Sequence, residues 1–457
     1  MASNQGVGPA GQARSRSEVT KVVVASLIGT TIEWYDFFLY GTAAALVFNK
    51  LFFPKADPLV GTMLAFTTYA LGFFARPVGG VVFGHYGDRI GRKAMLVLTL
   101  MMMGLATFAI GLLPTYATLG IWAAVILTLL RLIQGFALGG EWGGAVLMAA
   151  EFGSTGRRGL RASWPQVGVP IGLLLSTLVL NIVNRTTTDD QFLSWGWRIP
   201  FLLSIVLVLV GLWVRVTVSE SPVFKAAQEE AARAEAAVGK EAPPALQVLR
   251  QYKREVLIAM GARVAENVSY YVFTAFVLVY LVEELKLSRQ IGLNALLVAA
   301  VVHLAAIPTW AALSDRYGRR PLYLLGAVGV GVWAFVFFVL LDAKAAGLIA
   351  LAIGGGLVFH AAMYGPQAAF FSELFGTKVR YSGASIGYQL ASIAAGSVAP
   401  LIATALLSAY GSSTPISIYV AVCAAITIIA VLAAHETAKV DLTAVEATQE
   451  RLVELGP

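Results

Sequence analysis

Seven ionisable side chains lie inside long apolar runs of this 457-residue sequence: Glu33, Asp36, Arg76, Arg131, Glu141, Arg263 and Glu266. A charge removed from water costs several kcal/mol unless a partner or a proton neutralises it, so each marks a candidate site. The set holds three arginines and four carboxylates. If every arginine takes one acid, one acid is left, and an unpaired buried carboxylate takes up a proton. Arginine, planar and permanently charged, can bind both oxygens of a carboxylate at once. The chemistry on offer is therefore capture of a small anion together with protonation of a carboxylate. Asp36, Glu33 and Glu266 are the candidate proton carriers, and Arg131 and Arg263 the candidate anion ligands. Arg76 and Glu141 share a depth and read as a structural ion pair, while Arg263 and Glu266, three residues apart, share one helical face.

The runs that carry these charges are each about 20 residues or longer, the length that crosses a bilayer as a helix. Twelve qualify: 22–48, 59–83, 94–113, 117–147, 163–183, 197–214, 256–282, 290–313, 322–341, 345–371, 381–407 and 415–434. Composition agrees, with 58% hydrophobic residues, only 13% charged and a mean hydropathy of +0.75. Soluble domains carry about 25% charged residues, so a string of soluble domains is excluded. The expected fold class is an all-α, multi-pass membrane protein in contact with the lipid bilayer. The expected organisation is a tail over 1–21, a six-helix bundle over 22–214, a polar linker over 215–255, a second six-helix bundle over 256–434 and a tail over 435–457.

Charge places the ends. With the N-terminus inside, the tails, the linker and the loops on that side hold 23 of the 33 Lys and Arg residues. The opposite loops hold seven, namely Lys50, Lys55, Arg185, Arg198, Lys286, Arg289 and Lys344, and three lie within spans. Positive residues mark the cytoplasmic side, so both termini are expected there. The net charge of +7 is spread in short clusters between spans rather than gathered on a solvated face, which excludes a nucleic-acid partner. The single cysteine, Cys423, allows no intrachain disulfide and no cysteine metal cluster. The polar, basic start is not expected to be a cleavable signal peptide. Gly6-Val7-Gly8-Pro9-Ala10-Gly11 fits G-x-G-x-x-G only by chance, since no strand precedes it and Pro9 interrupts it. Gly383-Ala384-Ser385-Ile386-Gly387 opens a membrane helix, not the strand-to-helix turn a nucleophile elbow needs. With no phosphate-binding loop, no metal motif and no paired-carboxylate site, no enzyme activity, catalytic residue, metal or cofactor is expected.

The two halves repeat. Gly84-His85-Tyr86-Gly87-Asp88-Arg89-Ile90-Gly91-Arg92-Lys93 follows the second span, and Ala311-Ala312-Leu313-Ser314-Asp315-Arg316-Tyr317-Gly318-Arg319-Arg320 follows the eighth. Glu151 with Arg158 recurs as Glu373 with Arg380 after spans four and ten. Parallel six-span repeats are a transporter architecture. These loops, with Arg131-Leu132-Ile133-Gln134-Gly135, resemble the motifs of the major facilitator superfamily. Within it, Glu33-Trp34-Tyr35-Asp36-Phe37, Gly139-Gly140-Glu141-Trp142-Gly143 and Trp195-Gly196-Trp197-Arg198-Ile199-Pro200-Phe201 look like the metabolite:proton symporter family. The subgroup most similar is the shikimate permeases, on Trp34 to Pro54, Thr187 to Ser194, and Tyr381-Ser382-Gly383-Ala384 with Gly387-Tyr388-Gln389. Asn267, Val268, Ser269 and Tyr270 in span seven, and His360 to Gln367 in span ten, depart from that pattern.

The resemblance implies twelve helices in two pseudo-symmetric halves that rock about a midplane site. It implies import of a small organic acid with protons, with shikimate or a similar hydroxylated cyclic carboxylate as the expected cargo. Proline or betaine, or a di- or tricarboxylate, is the alternative, and a non-transporting sensor the distant one. The chain is expected to work as a monomer in the inner or plasma membrane. In that fold spans one, four, seven and ten line the cavity, which would set Arg131 against Asp36 or Glu33. Tyr40, Trp142, Tyr270, Tyr364 and Tyr388 would stack on a ring or cage a quaternary amine, and Gln166, Asn267, Gln367 and Gln389 would supply hydrogen bonds. His303 and His360 read as packing residues in preference to proton carriers. Asp88, Arg89, Arg92, Glu151, Asp315, Arg316 and Arg319 would form the cytoplasmic gate between the halves.

Overall fold

A backbone crossing lipid must satisfy its own hydrogen bonds, and a helix does this within one segment. The computed structural model describes residues 16–90, 92–139, 157–217, 248, 250–375 and 379–438; the side chains of 16–26, 84, 85, 87–90, 92–94, 96, 214–217 and 381 fall outside the description. In chain order the long helical rods are α1 (16–52), α2 (Pro58–Ile90), α3 (Arg92–Leu112), α4 (Ile121–Leu138), α5 (Arg158–Thr186) and α6 (Arg198–Thr217). After the linker come α7 (Lys253–Glu284), α8 (Arg289–Tyr317), α9 (Arg319–Asp342), α10 (Ala346–Glu373), α11 (380–410) and α12 (Thr414–Ala433). Among the described residues nine helices are individually long and apolar enough to span a membrane, and a tenth counts if Asp189–Gly196 and Arg198–Trp213, bent by 43°, form one span. The buried carboxylates of α1 and the short described apolar stretch of α3, Val97–Leu112, account for the other two.

The repeat in the sequence reappears as a repeat in packing. In the first half α1 packs on α5 and α6, α2 on α4, and α3 on α4 and α6. Six helices later α7 packs on α11 and α12, α8 on α10, and α9 on α10 and α12. The halves meet along α5 against α8 and α10, and along α2 against α11.

Two local features shape the interior. The α2–α4 contact is backbone on backbone: a Cβ on Gly135 would stand 1.8 Å from the Gly72 carbonyl oxygen, and one on Gly139 would stand 1.9 Å from that of Arg76. Small residues there let two helices approach closely enough to bury the arginines beside them. π-helical turns interrupt α1 at Ala44–Phe48, α7 at Val272–Phe276 and Tyr280–Glu284, and α11 at Ser392–Gly396. Such turns break the regular backbone ladder and concentrate at functional places.

Candidate functional site

A partly open pocket, with about 250 Å³ of empty space counting the solvent it opens to, lies where the halves meet. From the first half α1 contributes Trp34 and α5 Val169; α7 gives Arg263, Glu266, Asn267, Tyr270 and Tyr271, α10 gives His360 and Tyr364, and α11 gives Tyr388. The spacing of the α7 set, at 263, 266, 267, 270 and 271, is the three-and-four repeat that keeps one helical face turned to one place. The walls are aromatic and the floor is charged, a combination suited to a small polar molecule with an apolar skeleton.

Arg263 is the cation of this cavity. Its Nη1 donates to Gln367 Oε1 at 2.7 Å and sits 3.3 Å from Glu266 Oε2, its Nε donates to Ser392 Oγ at 3.3 Å, and its guanidinium lies 3.2 Å from the Tyr388 ring centre. Glu266 is held equally: His360 Nε2 approaches its Oε1 at 3.1 Å, and Gln367 Nε2 donates to Oε2 at 3.3 Å. Gln367 also donates to the Tyr323 hydroxyl at 2.9 Å. The pair anticipated from the sequence is present, inside a network that spans α7, α9, α10 and α11.

Arg131 occupies a different environment. Its guanidinium lies 4.5 Å from the Tyr40 ring centre, 4.7 Å from Tyr69 and 4.9 Å from Phe37, and its Nη1 donates to Gln134 Oε1 at 3.1 Å. It lies outside the cavity lining. Asp36 forms no ion pair with it: among the described residues neither Asp36 oxygen meets a well-aligned donor, and the Thr107 hydroxyl beside it is committed to the Met103 carbonyl at 3.0 Å. The expected Arg131–Asp36 pairing gives way because, among the described residues, aromatic faces and not carboxylates pack on the guanidinium. Glu33 is buried on the same helix, outside the cavity lining. Arg76 stacks on Phe73 at 4.3 Å and on Phe37 at 5.0 Å. Its expected partner Glu141, together with Trp142, falls outside the described residues.

Of the other predicted contacts, Asn267, Tyr270, Tyr364 and Tyr388 line the cavity, Tyr40 boxes Arg131, and Gln166 donates across the halves to the Tyr364 carbonyl at 2.7 Å. Gln389 is half-buried with an unpaired Oε1 and lies away from the cavity lining. Sequence reasoning missed Trp34 and Val169 as cavity walls. The recurrence of cavity-side aromatics at Tyr270 and Tyr271 was the available signal for a facing aromatic on α1, and Phe38 does pack on Tyr270 at 5.5 Å.

Two further sets of contacts join the halves, one toward each end of the helices. At the end where α1 begins and α12 stops, the Gly159 and Leu160 amides at the start of α5 donate to Asp315 at 2.7 and 3.0 Å, so a carboxylate of one half caps a helix of the other. Arg319 binds Asp315 at 2.8 Å and Glu373 at 3.2 Å, and Arg158 reaches across to Glu373 at 3.0 Å. A Cβ on Gly159 would lie 2.8 Å from the Ala311 carbonyl oxygen, a backbone atom that cannot swing aside, so glycine suits the latch there. Arg316 is exposed and lies over Tyr317 at 5.4 Å, outside this cluster. The Asp88, Arg89, Arg92 and Glu151 side chains lie outside the described residues. At the far end Asn181 and Arg185 donate to Asn294 at 2.7 and 2.9 Å, and Arg289 donates to Asn184 at 2.6 Å and pairs with Asp189.

The profile of the family described as "Sugar (and other) transporter" matches residues 21–448. The chain belongs to the major facilitator superfamily. This superfamily transporter is 44% identical over 407 residues to the shikimate transporter of Escherichia coli strain K12, covering 89% of this chain and 92% of that one. It is 33% identical over 423 residues to the proline/betaine transporter of the same organism, covering 92% and 84%. Its fold matches the proton:xylose symporter XylE bound to 6-bromo-6-deoxy-D-glucose with a TM-score of 0.73 at 16% identity, over 95% of this chain and 100% of that one. The superfamily transporter is thus a multi-pass membrane carrier and not an enzyme, built as two pseudo-symmetric six-helix halves.

Proposed function

We propose that this carrier imports a small hydroxylated carboxylate with protons, with shikimate as the first candidate. The observation that carries the reading is Arg263, a buried cation in an aromatic pocket whose other ligands are neutral except Glu266. A carboxylate on a substrate can compete with Glu266 for the guanidinium fork, while Asn267, Tyr270, Tyr364 and Tyr388 offer hydroxyl partners and ring faces. The similarity to a shikimate transporter supports this choice. Asp36 supports proton coupling, being a buried carboxylate without an ion-pair partner among the described residues.

Alternating access would work through these two sets of contacts between the halves. Opening the Asp315–Arg319–Glu373–Arg158 latch would expose the cavity to one side, and parting α5 from α8 at Asn184 and Arg289 would expose it to the other. The basic residues concentrated at the latch end support a cytoplasmic assignment for it, hence for both termini, in an inner or plasma membrane with the carrier as a monomer. The aromatic cavity wall also favours a second reading, a quaternary or secondary amine such as betaine or proline. Uptake into proteoliposomes under an imposed pH gradient separates them. Accumulation of shikimate and not of proline or glycine betaine is expected, and the reverse pattern overturns the carboxylate reading.

A further inference from the structure

Two histidines extend the Arg263–Glu266 pair into the body of the second half. His303 on α8 and His360 on α10 are 0% and 1% exposed. His303 Nε2 lies 2.9 Å from His360 Nδ1, and His360 Nε2 lies 3.1 Å from Glu266 Oε1. The chain fixes its own tautomers. A neutral His360 donates from Nε2 to the carboxylate, so its Nδ1 accepts and His303 Nε2 donates. That leaves His303 Nδ1 as a lone pair, and this atom is buried without a hydrogen-bond partner. Paired core histidines normally satisfy both nitrogens; here the far end of the chain is open to a proton.

We propose that His303 and His360 are a proton relay to Glu266, a second coupling site separate from Asp36, and that its firing frees Arg263 for the substrate carboxylate. A proton arriving at His303 Nδ1 makes an imidazolium. The Nε2 proton of His303 passes to His360 Nδ1, and the Nε2 proton of His360 passes to Glu266 Oε1. Both rings end neutral in the opposite tautomer, and Glu266 ends as a carboxylic acid. One positive charge has entered and one carboxylate has been neutralised. Arg263 then lacks its anion until a substrate carboxylate arrives, and the site returns to neutrality without an unpaired buried charge.

The groups facing the relay fit this role. α7 supplies Arg263, Glu266, Tyr271 and Tyr270, whose ring lies 4.8 Å from His360 and 5.6 Å from His303. α10 adds Tyr364, 5.3 Å from His360, α9 adds Tyr323 through Gln367, and α11 adds Tyr388. α5 offers Gln166, with Arg158 and Arg185 at its two ends. Among these the Glu266 carboxylate is the anion that the histidines touch.

The inference rests on the carboxylate:proton reading, and its test separates the two. Purified protein is reconstituted in proteoliposomes with the membrane voltage clamped at zero, using radiolabelled shikimate. One arm is counterflow at equal pH, which needs binding and alternating access but no proton gradient. The other is accumulation driven by a gradient of about one pH unit, which supports about tenfold concentration for each coupled proton, since tenfold is 1.4 kcal/mol. With two sites the parent reaches about a hundredfold. His303→Gln and His303→Asn, at a position outside the cavity lining, keep a hydrogen bond but carry no proton onward; they retain counterflow and fall to about tenfold. Accumulation by both variants equal to the parent overturns the relay. If the parent shows no shikimate counterflow, the substrate reading fails while the relay is still decided by 15N-histidine NMR on the parent, which has four histidines. The same measurement decides if the variants lose counterflow through misfolding. A proton shared between two imidazoles, lost in His360→Gln or in a His303→Asn variant, supports the relay. Four independent imidazoles overturn it.

Discussion

Replacing Arg263 by lysine keeps the charge and removes the fork. The guanidinium makes its contacts with two nitrogens and one face: Nη1 with Gln367 and Glu266, Nε with Ser392, and the plane with Tyr388. A lysine ammonium can reach one of these directions, so a substrate carboxylate would lose one of two parallel charge-assisted contacts. A hydrogen bond to a charged group is worth about 1.5–3 kcal/mol, which converts to a rise in Kd of about 10- to 150-fold. Arg131→Lys is the internal comparison, because Arg131 sits in the Phe37, Tyr40 and Tyr69 box outside the cavity. Its loss should lower Tm and leave Kd for shikimate within about threefold, a change under 1 kcal/mol. Calorimetric titration of both purified variants at one pH and one salt concentration measures the difference. Parental affinity in Arg263→Lys, or equal weakening in Arg131→Lys, refutes the assignment of substrate charge to Arg263.

Asp36→Asn imitates a carrier that is permanently protonated at that site. It should bind and exchange shikimate normally and lose about tenfold in accumulation per pH unit, measured in voltage-clamped proteoliposomes; unchanged accumulation would move the first coupling site away from α1. Asp315→Asn leaves the α5 amides without a carboxylate and Arg319 with Glu373 as its remaining acid, at a cost of about 1.5–3 kcal/mol to the latch. Single-cysteine labelling at the latch end, in a Cys423→Ala background, should become faster while Kd for shikimate stays near the parent's. Gly159→Ala should open the same end, since its Cβ would meet the Ala311 carbonyl oxygen at 2.8 Å, and unchanged labelling in that variant contradicts the steric account. Gly135→Ala, with a Cβ 1.8 Å from the Gly72 oxygen, should destabilise the α2–α4 contact by about 3 kcal/mol and lower Tm without a change in pH response.

The halves, the spans and the in-helix pair Arg263–Glu266 were legible because each is periodic or local. Depth along a helix was legible too, but the direction a side chain takes around it was not. Arg131 and Asp36 share a depth, yet three aromatic rings rather than a carboxylate meet the guanidinium. His360 read as a packing residue because nothing local shows that Glu266, 94 positions earlier, faces it. The gate was half legible. Arg158 and Glu373 were visible as members of two repeated pairs, one in each half, and the fold brings these two together across the halves. Symmetry in sequence names equivalent positions without saying which of them touch. Trp34 was missed as a cavity wall because an aromatic in an apolar run carries no signal of which neighbour it faces.

The π-helical turns at Ala44–Phe48 and Val272–Phe276 fall at matching places in α1 and α7, and they carry a mutational consequence. A π turn holds one residue more than an α turn would, and in an α-helix one residue corresponds to about 100° of rotation. The wider turn therefore sets the phase between the two parts of each rod: Glu33 to Tyr40 on one side of α1 from Asn49 to Phe52 on the other, and Arg263 to Tyr271 from Val277 to Val279 on α7. Removing a single residue such as Ala45 would leave the hydrophobic length almost unchanged and re-index the end of the helix by about a quarter turn. Matched one-residue deletions in α1 and α7 thus offer a way to rotate one mouth of the carrier against its cavity while every cavity side chain stays in place.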